Sequence, residues 1–181
     1  MDLAPNHRSD LLREAGEADL PTVRTIYAHH VETGLGTFEE KRPDLDEITR
    51  RWRQAKELQL PYLVVERDDA VRGFAYAAPY RARSAYRYTV EDSVYIDSDW
   101  LRQGLASLLL RELVARCGAL GYRQMVAVIG GSDNTGSIQL HTGCGFSEAG
   151  VLRGVGFKFG APVDSVLMQR ALYPAESSAN D

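Results

Sequence analysis

The chain has 181 residues, two cysteines, a formal charge of −4 and a sequence pI near 5.6. Apolar residues at 44% and charged residues at 25% describe one soluble globular domain, and exclude a disordered chain, a collagen and a disulfide-stapled mini-protein. No run approaches the ~18 uncharged apolar residues of a membrane helix. Met1–Asp10 lacks the apolar centre of a signal peptide, and the acidic balance disfavours general nucleic-acid binding. With Cys117 and Cys144 expected as free thiols, the expected location is the cytoplasm.

Leu11 and Leu12 open a short strand. Asp19 stands at a helix start as N-cap, with Pro21 in the first turn. Leu20, Val23, Ile26, Tyr27 and His30 follow helical spacing until Gly34 and Gly36 break it. A second helix begins near Asp44, with Leu45, Ile48, Trp52 and Ala55 on one face. Tyr62–Glu66 and Val71–Ala78 read as a hairpin turning at Asp68 and Asp69. Tyr86–Ile96 is a longer strand.

The strongest helix runs from about Leu101 to Leu120. Leu105, Leu108, Leu109, Leu113, Cys117 and Leu120 form its buried stripe, and Gly121 stands at its C-terminal stop. Met125–Ile129 reads as a strand covered on both faces. Asp133 or Asn134 caps a short helix through about His141, and strands near Ser147–Phe157 and Val163–Ala171 follow. The order β-α-α-β-β-β-α-β-α-β-β predicts one mixed α/β domain over residues 10–173. The polar ends, 1–9 and 174–181, read as mobile.

The junction from Val94 to Ser107 carries the most chemistry. A strand ends, a polar loop follows, and a helix opens on Gly104 and Ala106. Small residues there admit a ligand to the unpaired N–H groups of a helix start, which suit a diphosphate. Arg102 adds a charged donor and Ser107 a hydroxyl. One glycine is equally consistent with a tightly packed helix start. The segment has neither the full dinucleotide fingerprint nor the Gly-Lys-Ser/Thr ending of a nucleotide P-loop.

Leu101, Arg102, Gln103, Gly104, Leu105 and Ala106 resemble the coenzyme-A pyrophosphate loop of the GNAT acetyltransferase superfamily, Arg/Gln-x-x-Gly-x-Gly/Ala. They depart from it at Leu101, where Arg or Gln is usual. Thr89–Ile96, Val128–Gly130, Asn134 to His141 and Gly145-Phe146 resemble the phosphinothricin and methionine-sulfoximine N-acetyltransferase branch. So do Gly36-Thr-Phe-Glu39, Tyr80-Arg-Ala-Arg83 with Tyr86, and Gly156-Phe-Lys-Phe-Gly160. Together these segments cover most of Leu11–Arg170. The resemblance implies the GNAT fold, a mixed α/β domain whose mostly antiparallel central sheet is flanked by helices. It also implies acetyl-CoA as co-substrate, no metal, a homodimer and an amino-acid acceptor. It further implies a bulge in the Thr89–Ile96 strand, where Val94, Tyr95 and Ile96 give backbone contacts to the coenzyme arm.

Acetyl transfer to an amine requires a proton acceptor, because an ammonium cannot attack a thioester. Glu91 is the candidate base, set against the alternative of an exposed strand carboxylate. Asp92 is either its competitor or a structural hydrogen-bonding partner. His141 stands where many relatives carry a tyrosine near the coenzyme sulfur. It either protonates the departing thiolate or only hydrogen-bonds it. Asn134 either contacts the coenzyme or caps its helix.

Arg81 and Arg83, two apart, share one side of an extended segment and match a carboxylate or phosphinate. Phe38, Tyr80, Tyr86, Thr89 and Val90 are the expected walls of the acceptor pocket. Lys158 is a weaker candidate for that pocket, since surface lysines are common, and Pro162 stands where the branch tends to carry an aromatic. A peptide N-terminus, a polyamine, or a non-catalytic role as an acyl-CoA sensor are the rival readings. A cysteine hydrolase built on Cys144 and His141 lacks an orienting third group.

Overall fold

A computed structural model describes residues 10–172. The segments expected to be mobile, 1–9 and 174–181, lie outside the described residues. In chain order the elements are β1 (Leu11–Glu14), α1 (Leu20–Thr33), α2 (Leu45–Glu57), β2 (Tyr62–Arg67), β3 (Ala70–Pro79), β4 (Thr89–Ile96) and α3 (Leu105–Ala119). They continue with β5 (Gln124–Gly130), α4 (Thr135–Gly143), β6 (Ser147–Lys158) and β7 (Ala161–Ala171). The predicted order is borne out.

One seven-stranded sheet, ordered β1-β2-β3-β4-β5-β7-β6, carries all the strands. Every pair is antiparallel except β4–β5, which α3 connects as a crossover helix. The hairpin β2–β3 turns on Asp68 and Asp69 at φ 54° and 59°, the left-handed pair that a tight two-residue turn requires.

Two cores flank the sheet. α1 and α2 bury Val23, Ile26, Tyr27, Ile48 and Trp52 against Tyr62, Val64, Phe74 and Tyr95. On the other face α3 buries Leu105, Leu109, Leu110, Leu113, Val114 and Cys117 against Val65, Ala75, Val90, Met125 and Ala127. Both cysteines are free and buried. No helix among the described residues is long and apolar enough to cross a membrane.

The helix predicted from Leu101 begins instead at Leu105. Arg102 and Gly104 take left-handed backbone, φ 58° and 85°, which no α-helix can contain. The stripe is redrawn accordingly. Leu108 and Leu120 are 37% and 52% exposed, while Leu110 and Val114 are buried. Leu45 of the predicted α2 face is also exposed.

The strand predicted from Tyr86 starts at Thr89, because Ser84–Tyr86 closes a 3₁₀ turn. β4 keeps an unbroken register with β3, so the expected bulge is absent. Of the strand predicted to be covered on both faces, Val126 and Val128 are only half-buried.

Asp19 does not cap α1 with its side chain. Its carboxylate accepts from both terminal nitrogens of Arg13, at 2.6 and 2.8 Å, and from the Gly16 N–H at 2.7 Å. Arg13 also reaches Glu66. The Arg13 hydrogen bonds hold the Asp19 carboxyl below its ordinary value of 3.8. That contribution is complete above the ordinary value and is lost as pH falls through the lowered one. Asp19→Ala is expected to lower stability by about 1–2 kcal/mol at pH 7. Urea unfolding of both forms at pH 7 and at pH 3 checks it: the gap should narrow at pH 3.

Candidate active site

β4 and β5 pair only over Thr89–Glu91, against Gln124–Val126. Beyond Glu91 they part. β4 stays paired to β3 through Ile96, and β5 to β7 through Gly130. The side of β4 that faces β5 therefore has no strand partner from Asp92 to Ile96. A pocket of ≈ 450 Å³ opens there, the size range of a small-molecule site. Glu91, Asp92, Ser93, Val94 and Tyr95 line it from one strand, and Val128 to Gly130 from the other. Phe38, Tyr76, Asn134 and His141 are among its other walls.

A larger cleft adjoins it. Leu35, Gly36, Val94, Tyr95, Asn134 and Ser137 belong to both. The cleft runs past Ile96, Trp100, Leu101 and Arg102 to Gly104, Leu105, Ala106 and Ser107 at the start of α3. Gly104 is the N-cap, and no side chain caps this helix. The first helical bond runs from the Leu108 N–H to the Gly104 carbonyl at 3.1 Å. The N–H groups of Leu105, Ala106 and Ser107 precede it and have no carbonyl within the helix. A Cβ on Gly104 would meet open space, so the glycine is required by its φ of 85° and not by crowding. The shifted helix start thus gives the predicted anion cradle more open backbone than the sequence suggested. Gln103 is the exception among the cradle residues: its side-chain oxygen accepts from Arg67 at 2.9 Å, and it does not line the cleft.

Glu91 lies at the point where the strands part. No hydrogen bond or ion pair among the described residues engages its carboxylate. Burial first, then the charge of Asp92, pushes its carboxyl above the ordinary value of 4.5, and Arg81 pulls it back. That is the tuning a general base requires.

Asp92 is a hydrogen-bonding partner of His141. Its Oδ2 lies 3.0 Å from His141 Nε2, and both side chains are buried. His141 Nδ1 lies 2.7 Å from the Ser137 carbonyl, which can only accept. Both imidazole nitrogens therefore face acceptors, so the pair holds a proton. Burial opposes the charge on His141, but the Asp92 bond and charge and the Ser137 carbonyl outweigh it and raise its pKa. Asp92 Oδ1 is buried with no hydrogen-bond partner in the described structure.

Asn134 is a cap: its oxygen accepts from the Ser137 N–H at 3.2 Å, and its amide donates to the Gly130 carbonyl at 3.3 Å. Val94, Tyr95 and Ile96 line the cleft. The acceptor residues are less well gathered. Phe38 lines the pocket, but Val90 is fully buried in the α3 core and Thr89 lies outside the lining. Tyr80, Arg81, Arg83 and Tyr86 also lie outside it. Arg81, Arg83 and Tyr86 are exposed on the β3–β4 connection, and Arg81 stacks over Tyr80 at 4.9 Å. That connection is not extended, so the inference that the two arginines share a side has no basis in the structure.

Tyr27, Thr37, Glu39 and Tyr76 complete the pocket and were not anticipated from sequence. The available signal for Tyr76 was its alternation with Phe74; in the structure Tyr62, Phe74 and Tyr76 stack at 5.1–6.3 Å.

Residues 23–146 match the Acetyltransferase (GNAT) family. The chain is 50% identical over 167 residues to a phosphinothricin N-acetyltransferase of Alcaligenes faecalis, covering 92% of this chain and 85% of that protein. It is 37% identical over 169 residues to an L-methionine sulfoximine/L-methionine sulfone acetyltransferase of Pseudomonas paraeruginosa, covering 92% and 97%. The fold matches a phosphinothricin acetyltransferase from Sinorhizobium meliloti, solved in complex with acetyl-CoA, at TM-score 0.89 and 40% identity, covering 96% and 93%. With the family model matching more than half of its length and relatives at 37–50% identity, the chain belongs to the GNAT family of acetyltransferases.

Proposed function

We propose that this enzyme transfers the acetyl group of acetyl-CoA to the α-amine of a small amino acid or analogue, such as phosphinothricin, methionine sulfoximine or methionine sulfone. The observation that carries the reading is Glu91. It is a half-buried carboxylate with a raised pKa and no bonded partner among the described residues, in a pocket that adjoins the cleft at the start of α3.

Acetyl-CoA supplies the activated acyl group. The open N–H groups of Leu105, Ala106 and Ser107, with Arg102, suit its diphosphate, and the edge of β4 at Val94, short of the Ile96 carbonyl that His30 engages, suits its arm. Glu91 takes the proton from the acceptor ammonium, directly or through one water, and frees the lone pair for attack. His141 is engaged at both nitrogens and keeps its proton. Its role is to hold Asp92 and present a fixed positive charge that favours departure of the thiolate.

The pocket's charges favour one ammonium over a polyamine. Glu39 is held by Arg51 at 2.7 Å and Asp92 by His141, which leaves Glu91 as the carboxylate available to the acceptor. A sensor that only binds acyl-CoA has no use for a base tuned in this way.

The assembly we propose is a homodimer through the outer edge of β6. That strand ends the sheet, and Leu152, Val155, Phe157 and Phe159 on or beside it are 48–64% exposed. Light scattering should give twice the 20.1 kDa chain mass, and a monomer at micromolar concentration would refute the dimer. The buried free thiols Cys117 and Cys144 suit a reducing compartment, the cytoplasm.

Glu91→Gln is expected to lower kcat with phosphinothricin at pH 7 by about 10²-fold or more, with acetyl-CoA affinity by calorimetry nearly unchanged. In the parent enzyme the rate should fall as pH drops through the raised Glu91 pKa, because the protonated acid cannot accept a proton. The variant should lack that limb. An undiminished rate removes Glu91 from the role.

Arg81→Ala removes the charge that lowers the Glu91 pKa. The acid limb should move to higher pH, and the acceptor KM should rise more than that of acetyl-CoA. Equal rises would assign Arg81 to the coenzyme or to the fold.

A further inference from the structure

Lys158, a weaker pocket candidate in sequence because surface lysines are common, is only 2% exposed. It is the last residue of β6. Its Nζ donates to the carbonyls of Gly34 and Thr37, both at 2.7 Å. Among the described residues no ion pair engages it, and burial lowers its ammonium below the ordinary value of 10.5 while Glu40 and Glu39 counteract. Burying a lysine is costly unless its ammonium is hydrogen-bonded, and the bonds count for more where the acceptors have no other donor. Here two main-chain carbonyls are turned inward, and other than Lys158 no donor to either is found among the described residues.

Those carbonyls bracket the bend at Leu35 and Gly36, and both of these residues line the pocket and the cleft alike. Two glycines seat the same segment. A Cβ on Gly130 would collide with the Leu35 carbonyl, and one on Gly156 with the Phe38 ring. The far end of the segment is tied separately to α1 and α2, through Tyr27 to Thr37 and Glu39, each at 2.9 Å, and through Arg51 to Glu39. Lys158 is thus the polar tie on the β6 side, and it acts on the part of the segment that divides the two cavities.

We propose that Lys158 is a positioning residue for the acceptor pocket: it clamps the Gly34–Thr37 carbonyls and so fixes the Leu35–Gly36 bend and the Phe38 wall against the end of β5. This rests on the acetyl-transfer reading for its kinetic consequence, but not for its structural one.

The test compares the parent enzyme with Lys158→Met, which keeps the stem and removes the donors, and with Lys158→Gln, which retains a neutral donor. Amide hydrogen exchange is read without substrate, and kinetics with phosphinothricin. In Lys158→Met, exchange over residues 34–39 should quicken about tenfold or more while β3 and β4 stay protected. The acceptor KM should rise about tenfold, with kcat and calorimetric acetyl-CoA affinity within about threefold. Lys158→Gln should fall between Met and the parent on both readouts.

Unchanged exchange over 34–39 in Lys158→Met overturns the clamp. So does an acceptor KM that rises no more than the loss of coenzyme affinity. If Lys158→Met does not fold, Lys158→Gln decides alone: parent-like exchange and KM overturn the proposal, and selective loss of both supports it. A parent enzyme inactive on every amine tried would defeat the acetyl-transfer reading, while the exchange data would still decide the clamp.

Discussion

The molecule depends on where one pair of strands stops pairing. β4 and β5 are the sheet's single parallel pair, and their ladder ends at Glu91 and Val126. Each strand remains fully held on its other side, β4 by β3 and β5 by β7. Opening the sheet there does not unravel it, because the two halves are antiparallel units in their own right. The opening exposes backbone that a closed sheet would consume. It also brings residues from both faces of β4 to one pocket, so Glu91 and Asp92 can share it although they point to opposite sides of the strand. The crossover helix completes the arrangement, since α3 must start at the end of the parted region and its free N–H groups face the same cleft.

The side chains at the apex of this opening divide the work. Asp92 is the first residue past the last paired one, and its bond to His141 reaches from β4 to α4 where the ladder would have continued. The Ser137 carbonyl forces a proton onto His141 Nδ1, and Asp92 takes the other nitrogen. A histidine free to shuttle protons would need one nitrogen open, and neither is. Glu39 is likewise committed, to Arg51 and Tyr27. The pocket therefore contains three carboxylates in different states, and Glu91 alone is left unbonded, with a pKa raised by burial and by its neighbour Asp92. Separating the environments of adjacent acids is how a protein assigns one of them to proton transfer.

What the sequence made legible follows from the range of each interaction. Element order, the Asp68–Asp69 turn, the start of α2 near Asp44, one of the two caps offered for α4 and most of the buried faces of α1 and α2 depend on neighbours within a few residues, and they emerged as read. The proposed base, Glu91, and the proposed cradle at α3 come from resemblance as much as from pattern. The start of α3 was misplaced by one turn, because leucine at position 101 continues a helical pattern that the left-handed backbone of Arg102 and Gly104 interrupts. The Arg13–Asp19 pair took the expected cap of α1 for a tertiary bond, a choice no local signal records. The same holds for Lys158, whose two partners lie more than 120 positions away in sequence.

That long-range tie explains a pattern otherwise puzzling in β6. The strand is exposed along most of its length yet ends in one of the most buried side chains of the molecule. Its glycine at 156 and its lysine at 158 lie two apart, so they project from the same side of the strand toward the same segment. One makes room for the Phe38 ring and the other captures carbonyls on either side of the bend. A segment of loop backbone that borders a polar pocket cannot satisfy itself with secondary structure, and water drawn in to do so would reach the thioester. A buried amine with two acceptors meets the hydrogen-bonding need without admitting solvent. The edge of the sheet farthest from the parted strands thereby helps to shape the cavity between them.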